Sequence, residues 1–123
     1  VADSFYEWDQ HGEEKQPYRF SLKDEPVITF AGLWDRWQEE DKEIISCTIL
    51  TTDANKEMNQ FHHRMPVILD NEKREKWLDR SLTDHPSLKS LLTPLPNGAL
   101  TYYPVAKDVN SPKNNHSELL NSL

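Results

Sequence analysis

Pro17-Tyr18-Arg19-Phe20-Ser21-Leu22 alternates apolar and polar side chains from Tyr18 onward. A period of two is the signature of a strand with one buried face. Upstream, Phe5-Tyr6-Glu7-Trp8 is a second strand candidate, rich in aromatics, and the polar segment His11-Gly12-Glu13-Glu14 separates the two. Together they predict a β-hairpin with a long loop. Downstream, Ile44 to Leu50 is the strongest strand pattern in the chain. It is apolar on both faces, which predicts a central strand of a sheet, with Cys47 packed there as a small hydrophobe. Val27 to Trp34 is a further apolar run broken near Gly32, and Asp35 to Lys42 reads as a charged loop with Trp37 embedded in it.

The second half mixes helix and strand. Asp53 is placed to cap a short helix running to Phe61, because its carboxylate can accept from free backbone N–H groups. Pro66 to Leu69 reads as a brief strand. Asp70 or Asn71 opens a helix to Asp79, with Trp77 and Leu78 facing inward. A short helix from Ser87 to Leu92 ends before Pro94 and Pro96, and Thr101 to Val105 is the last strand. Residues 110–123 form a polar tail with Leu119 and Leu120 as an apolar anchor. The expected fold class is α+β, a mostly antiparallel, barrel-like sheet with short flanking helices.

Composition bounds the rest. The 123 residues amount to one domain at most, with 36% apolar residues and a formal charge of -7. An average globular domain is about 45–50% apolar, glycine included, so a thin core, or part of a larger one, is expected. Twelve aromatic residues, four each of Trp, Tyr and Phe, argue against disorder. No apolar run approaches the ~18 residues of a membrane span. The single cysteine, Cys47, has no internal disulfide partner, which fits a reducing cytoplasm. The acidic balance disfavours blanket phosphate binding but leaves room for a local basic groove. Val1-Ala2-Asp3-Ser4 runs straight into a strand, and the chain opens without Met. The expectation is a chain that starts inside a domain.

Several side chains have chemical potential. Glu7 lies between Tyr6 and Trp8, and a carboxylate on an aromatic strand is partly desolvated, a condition that suits proton transfer. The alternative places Glu7 on the outward face, in water. His62, His63 and Arg64 precede Met65-Pro66; an imidazole shuttles protons near neutral pH, and Arg holds phosphate bidentately. The same residues also suit a plain polar loop. Thr51 and Thr52 end the Ile44–Leu50 run and offer hydroxyls. Adjacent histidines are not a zinc spacing, so no metal or cofactor is assigned. Lys73, Arg74, Lys76 and Arg80 interleave with Glu72, Glu75 and Asp79, as on a solvated helix face. Trp34, Trp37 and Trp77 suit either base stacking or core packing.

The order of the motifs carries more than any one of them. Phe5-Tyr6-Glu7-Trp8, Lys15-Gln16-Pro17-Tyr18, Phe30-Ala31-Gly32-Leu33-Trp34, the run from Cys47 to Asn55, His62-His63-Arg64-Met65-Pro66-Val67-Ile68-Leu69, Trp77-Leu78, Pro104-Val105, Val109-Asn110 and Lys113-Asn114 follow one another. This series resembles the SOS-response-associated peptidase (SRAP) family, the abasic-site processing proteins. The match spans almost all of residues 1–123 but only the C-terminal part of the family's domain.

The resemblance implies an abasic-site sensor in single-stranded DNA, linked to the DNA-damage response. In the family an N-terminal cysteine condenses with the ring-opened sugar to form a DNA–protein crosslink. Some members also remove a short N-terminal segment from themselves, which gives the peptidase name. On this resemblance Glu7 matches the catalytic glutamate, His62 the histidine that assists ring opening and crosslink reversal, and Thr51 a pocket threonine. Arg64, Trp8 and Trp34 are assigned to DNA binding.

Two departures stand out. No cysteine and no Asn-Ala-Arg-like motif precedes Glu7, and Cys47 belongs to a different motif. His63 and Ser4 replace a usual aspartate and glycine. The expected partners are single-stranded DNA with abasic sites and a separate N-terminal half or a second copy, with no membrane. A non-covalent single-stranded-DNA-binding module and an inactive fragment are the alternatives.

Overall fold

The computed structural model describes residues 1–123. Strands β1 (Phe5–Asp9) and β2 (Gln16–Leu22) form the expected antiparallel hairpin, with Glu7 opposite Tyr18. β2 is also paired antiparallel to the last strand, Leu100–Pro104, numbered β7 below, giving the order β1-β2-β7. The alternation in β2 now has a physical meaning. Phe20 is fully buried, and its ring meets Phe5 at 5.3 Å, Phe61 at 5.0 Å and Tyr102 at 5.1 Å. Such aromatic pairs add to the area they bury. Ile28, Met58, Met65, Ile68 and Leu100 complete this core.

β3 (Gly32–Glu39) and β4 (Lys42–Ile49) form a separate two-stranded antiparallel hairpin. β5 (Thr51–Asp53) and β6 (Arg64–Pro66) form another. The class is α+β with antiparallel sheets, as expected, although the strands do not close into a barrel. Helix α1 (Asn71–Leu78) begins at Asp70, whose carboxylate accepts from the Lys73 N–H at 2.8 Å. Helix α2 (His85–Ser90) is capped in the same way by Asp84. Ala31, Val67 and Leu69 make a small second core against Leu50, Trp77 and Leu92. Only 13 of the 123 residues are buried, which bears out the thin core.

Three expectations are corrected here. Residues 35–42 are not a loop. β3 runs through Glu39, and only Glu40 and Asp41 turn, with Glu40 at φ 51°. A non-glycine residue at positive φ is uncommon, so the sequence carried no turn signal there. The run from Ile44 to Leu50 is not central: β4 is exposed throughout, and Cys47 with it. Its apolar side chains are bare because β3 is its only strand partner. Asp53 ends β5 rather than capping a helix to Phe61. A single 3-10 turn, Met58–Gln60, stands there instead, and Asn55 Oδ1 accepts from the Met58 N–H at 2.9 Å.

Within α1, Trp77 packs inward and donates its indole N–H to the Gly32 carbonyl at 3.2 Å, but Leu78 is 70% exposed. An eight-residue helix has room for one inward stripe, and Trp77 fills it. Gly32 is constrained as well. A Cβ there would lie 3.1 Å from the Thr48 carbonyl, so a larger residue would press the base of the β3–β4 hairpin apart by a few tenths of an ångström.

The polar segment after β7 folds back over β1. The Tyr6 and Tyr103 hydroxyls donate to the carbonyls of Leu119 (3.3 Å) and Leu120 (2.7 Å), and Leu123 N–H donates to Pro104 O at 3.1 Å. Burial pushes the Tyr6 phenol up, so at neutral pH it keeps the proton that this bond requires.

Candidate functional site

β1 is an edge strand. Its alternation places Glu7 on the same face as Phe5, the face packed against Phe20 and Phe30. Glu7 is therefore half-buried at the margin of the aromatic core rather than turned fully to water. Opposite it in β2, Tyr18 meets the ring of Phe61 at 4.9 Å. His62 follows Phe61 directly, and this contact carries the imidazole to the same margin. The result is a cleft of about 400 Å³ lined by Glu7, Trp8, Gln10, Lys15, His62 and Asn110.

The imidazole is held from one side. His62 Nδ1 lies 3.0 Å from the Arg64 backbone N and 3.1 Å from the Arg64 carbonyl O. In the tautomer that carries its proton on Nδ1, the ring donates to that carbonyl both when neutral and as the imidazolium. Nδ1 then stays anchored in either state, and Nε2 is the nitrogen that gains and loses the exchanging proton. A ring anchored in both states suits a proton shuttle. His63 stacks on His62 with ring centroids 4.5 Å apart, but is itself exposed.

Thr51 and Arg64 belong to the neighbouring β5–β6 pair. Arg64 Nη2 donates to the Thr51 carbonyl at 2.7 Å and to Thr51 Oγ1 at 3.1 Å, while Nη1 bonds Asp53 at 2.9 Å. The guanidinium thus clips β5 to β6 beside His62, and its carboxylate partner is 90% exposed. Five donors on Arg leave capacity for a further acceptor. Trp34 is elsewhere. It is 73% exposed on β3 and lines a different depression with Trp77 and Leu78.

Of the six residues assigned from the sequence, the cleft gathers Glu7, His62 and Trp8. Thr51 and Arg64 adjoin it through β6, and Trp34 does not reach it. Gln10, Lys15 and Asn110 were not assigned. Lys15 and Asn110 do fall inside motif segments, Lys15-Gln16-Pro17-Tyr18 and Val109-Asn110, and that was the signal available for them. Gln10 had none.

Comparison with known proteins agrees with the order of motifs. The model of the family "SOS response associated peptidase (SRAP)" matches residues 1–112. The chain is 44% identical over 123 residues to the abasic site processing protein YoqW of Bacillus subtilis, covering 98% of this chain and 55% of that one. It is 34% identical over 143 residues to the abasic site processing protein HMCES of Xenopus tropicalis, covering 100% of this chain and 42% of that one. A crystal structure of a protein from Bacteroides thetaiotaomicron superposes with a TM-score of 0.88 at 33% identity, over 98% of this chain and 54% of the other. The chain thus spans about half the length of the Bacillus relative and less of the vertebrate one. A match over residues 1–112 that takes in both the Glu7 and the His62 motifs places this chain in the SOS response associated peptidase (SRAP) family.

Proposed function

We propose that this chain carries the acid–base half of an abasic-site crosslinking domain for single-stranded DNA. The observation that carries the reading is the shared cleft of Glu7, His62 and Trp8. An abasic deoxyribose opens to an aldehyde as its C1′–O4′ bond breaks, the C1′ hydroxyl losing its proton to water and O4′ gaining one, and His62 supplies the proton to O4′. An amine then adds to the aldehyde. Glu7 gives a proton to the departing hydroxyl, water leaves, and an imine remains. A thiol on the same residue as the amine adds across the imine and closes a thiazolidine. Trp8 supplies a face for an unstacked base, and Arg64 a phosphate contact.

The amine and thiol come from an N-terminal cysteine in polypeptide outside these 123 residues. The same acid–base pair serves self-removal of an N-terminal segment. A cytoplasmic, nucleoid-associated setting fits this reading. The β3–β4 hairpin supports the involvement of further polypeptide. Leu33, Trp34, Trp37, Ile44, Ile45 and Ile49 are between 47% and 73% exposed, and apolar side chains on both faces of a free hairpin mark a surface that another segment covers.

The test is intact mass. The chain is mixed with the complementary N-terminal half of the Bacillus relative and a single-stranded oligonucleotide bearing one abasic site. The expected adduct joins DNA to the N-terminal half, forms only when both halves are present, and slows about 100-fold with Glu7→Gln, the order of a lost general acid. An adduct that forms equally well without this chain, or at an unchanged rate with Glu7→Gln, would overturn the proposal. Salt-sensitive binding with no adduct would favour a non-covalent DNA-binding module instead.

A further inference from the structure

Trp8 enters the cleft with its indole N–H committed outside the strand. Nε1 donates to Asn110 Oδ1 at 2.7 Å, across 102 residues of sequence. The indole N–H only donates, so the Asn110 amide must present its oxygen, and the contact fixes the amide's orientation too. Asn110 is itself held. It ends the 3-10 turn Lys107–Asn110, closed by Ser111 N–H to Asp108 O at 3.2 Å. Asn114 Nδ2 donates to the same carbonyl at 2.8 Å, and Lys107 pairs with Glu14 in the β1–β2 loop. The turn is therefore tied both to itself and to the β1–β2 loop.

The χ2 torsion of tryptophan is broad and poorly determined by its own rotamer preferences. A half-buried indole at a sheet edge keeps one orientation only when its rim is pinned. We propose that Asn110 is a positioning residue of the site. It sets the plane of the Trp8 ring across the cleft that holds Glu7 and His62, so that the nucleotide next to the lesion stacks with the abasic sugar facing those two groups. This rests on the functional reading above and adds a residue to it. The segment after β7 becomes a wall of the site.

The experiment has two readouts on the 123-residue chain. The first is solvent exchange of the Trp8 indole Nε1–H by NMR, assigned with Trp8→Phe. Exchange should be slow in the parent and in Asn110→Asp, which keeps the acceptor. In Asn110→Ala it should rise to the rate of the exposed Trp34 indole. The second is the ratio of affinities for a single-stranded oligonucleotide containing a tetrahydrofuran abasic analogue and for the same strand undamaged. A ratio cancels the added charge of the Asp variant. It should fall about tenfold in Asn110→Ala, the order of one stacking contact, and hold in Asn110→Asp.

Unchanged indole exchange in Asn110→Ala, or a fall in the ratio equal for both variants, overturns the inference. A parent ratio of one sinks abasic-site recognition by this chain, and the role of Asn110 in it. The exchange data would then still decide whether Asn110 holds Trp8.

Discussion

β2 and β4 are both apolar strands, and they end in opposite environments. β2 has strand neighbours on both edges, and its Phe20 is fully buried among four aromatic and sulfur-bearing side chains, Phe5, Phe61, Tyr102 and Met65. β4 has one neighbour and is exposed along all eight residues, with Ile45 at 67%. The lesson concerns what a pattern encodes. Apolar residues on both faces say that a strand is suited to burial; they do not say which polypeptide buries it. The candidate cleft sits on the finished region, at the edge of the β1-β2-β7 sheet. The hairpin has the composition of an interface.

The largest effect should come from the finished side. Phe20→Ala removes a fully buried ring and should cost about 3–5 kcal/mol, measured by urea denaturation, and leave a chain of this thin core near its stability limit. Ile45→Lys on the hairpin should change stability by no more than about 0.5 kcal/mol. A destabilisation by Ile45→Lys comparable to that of Phe20→Ala would show the hairpin already packed within this chain and erase the contrast. The same Ile45→Lys substitution should impair association with a complementary N-terminal half, seen as loss of the co-eluting complex in size exclusion.

The smallest effect is electrostatic. Hydrogen bonding to the Lys107 ammonium holds the Glu14 carboxyl below the ordinary carboxylate range. The tie between the β1–β2 loop and the Lys107–Asn110 turn is intact above the ordinary glutamate pKa, and is lost as pH falls through the depressed one. Carbonyl NMR titration of Glu14 should show that depression, and Lys107→Gln should abolish it. Because the pair is exposed, salt should weaken it.

Much of the scaffold was legible in residues that carry local rules. The β1–β2 hairpin followed from alternation, and the start of α1 was placed at Asp70 or Asn71, of which Asp70 is the cap. Two of the three corrected elements show the physical reasons for the misreading. Residues 35–39 are mostly charged, yet they extend as a strand whose Arg36 pairs with Glu43 across the ladder, and the Glu40–Asp41 turn lacks the glycine or asparagine that positive φ usually selects. The exposure of β4 is a non-local property that no window of sequence contains. For the cleft, Glu7 and His62 were each singled out by their own chemistry, but only the resemblance joined them in one site, because residues 55 positions apart carry no proximity signal of their own. Their meeting depends on Tyr18 against Phe61. Asn110 was legible only as part of a motif segment, since its partner Trp8 lies at the other end of the chain.

The most direct measurement of the contrast is backbone hydrogen exchange by mass spectrometry, on this chain alone and then with the complementary half of the Bacillus relative. The account expects β2 and β7 to be protected in both states. It expects β3 and β4 to exchange fast alone and to slow by at least an order of magnitude on mixing, in step with the appearance of crosslinking activity. Fast exchange at β3–β4 in a mixture that nonetheless crosslinks abasic DNA would contradict it, because the cleft would then work with the hairpin uncovered.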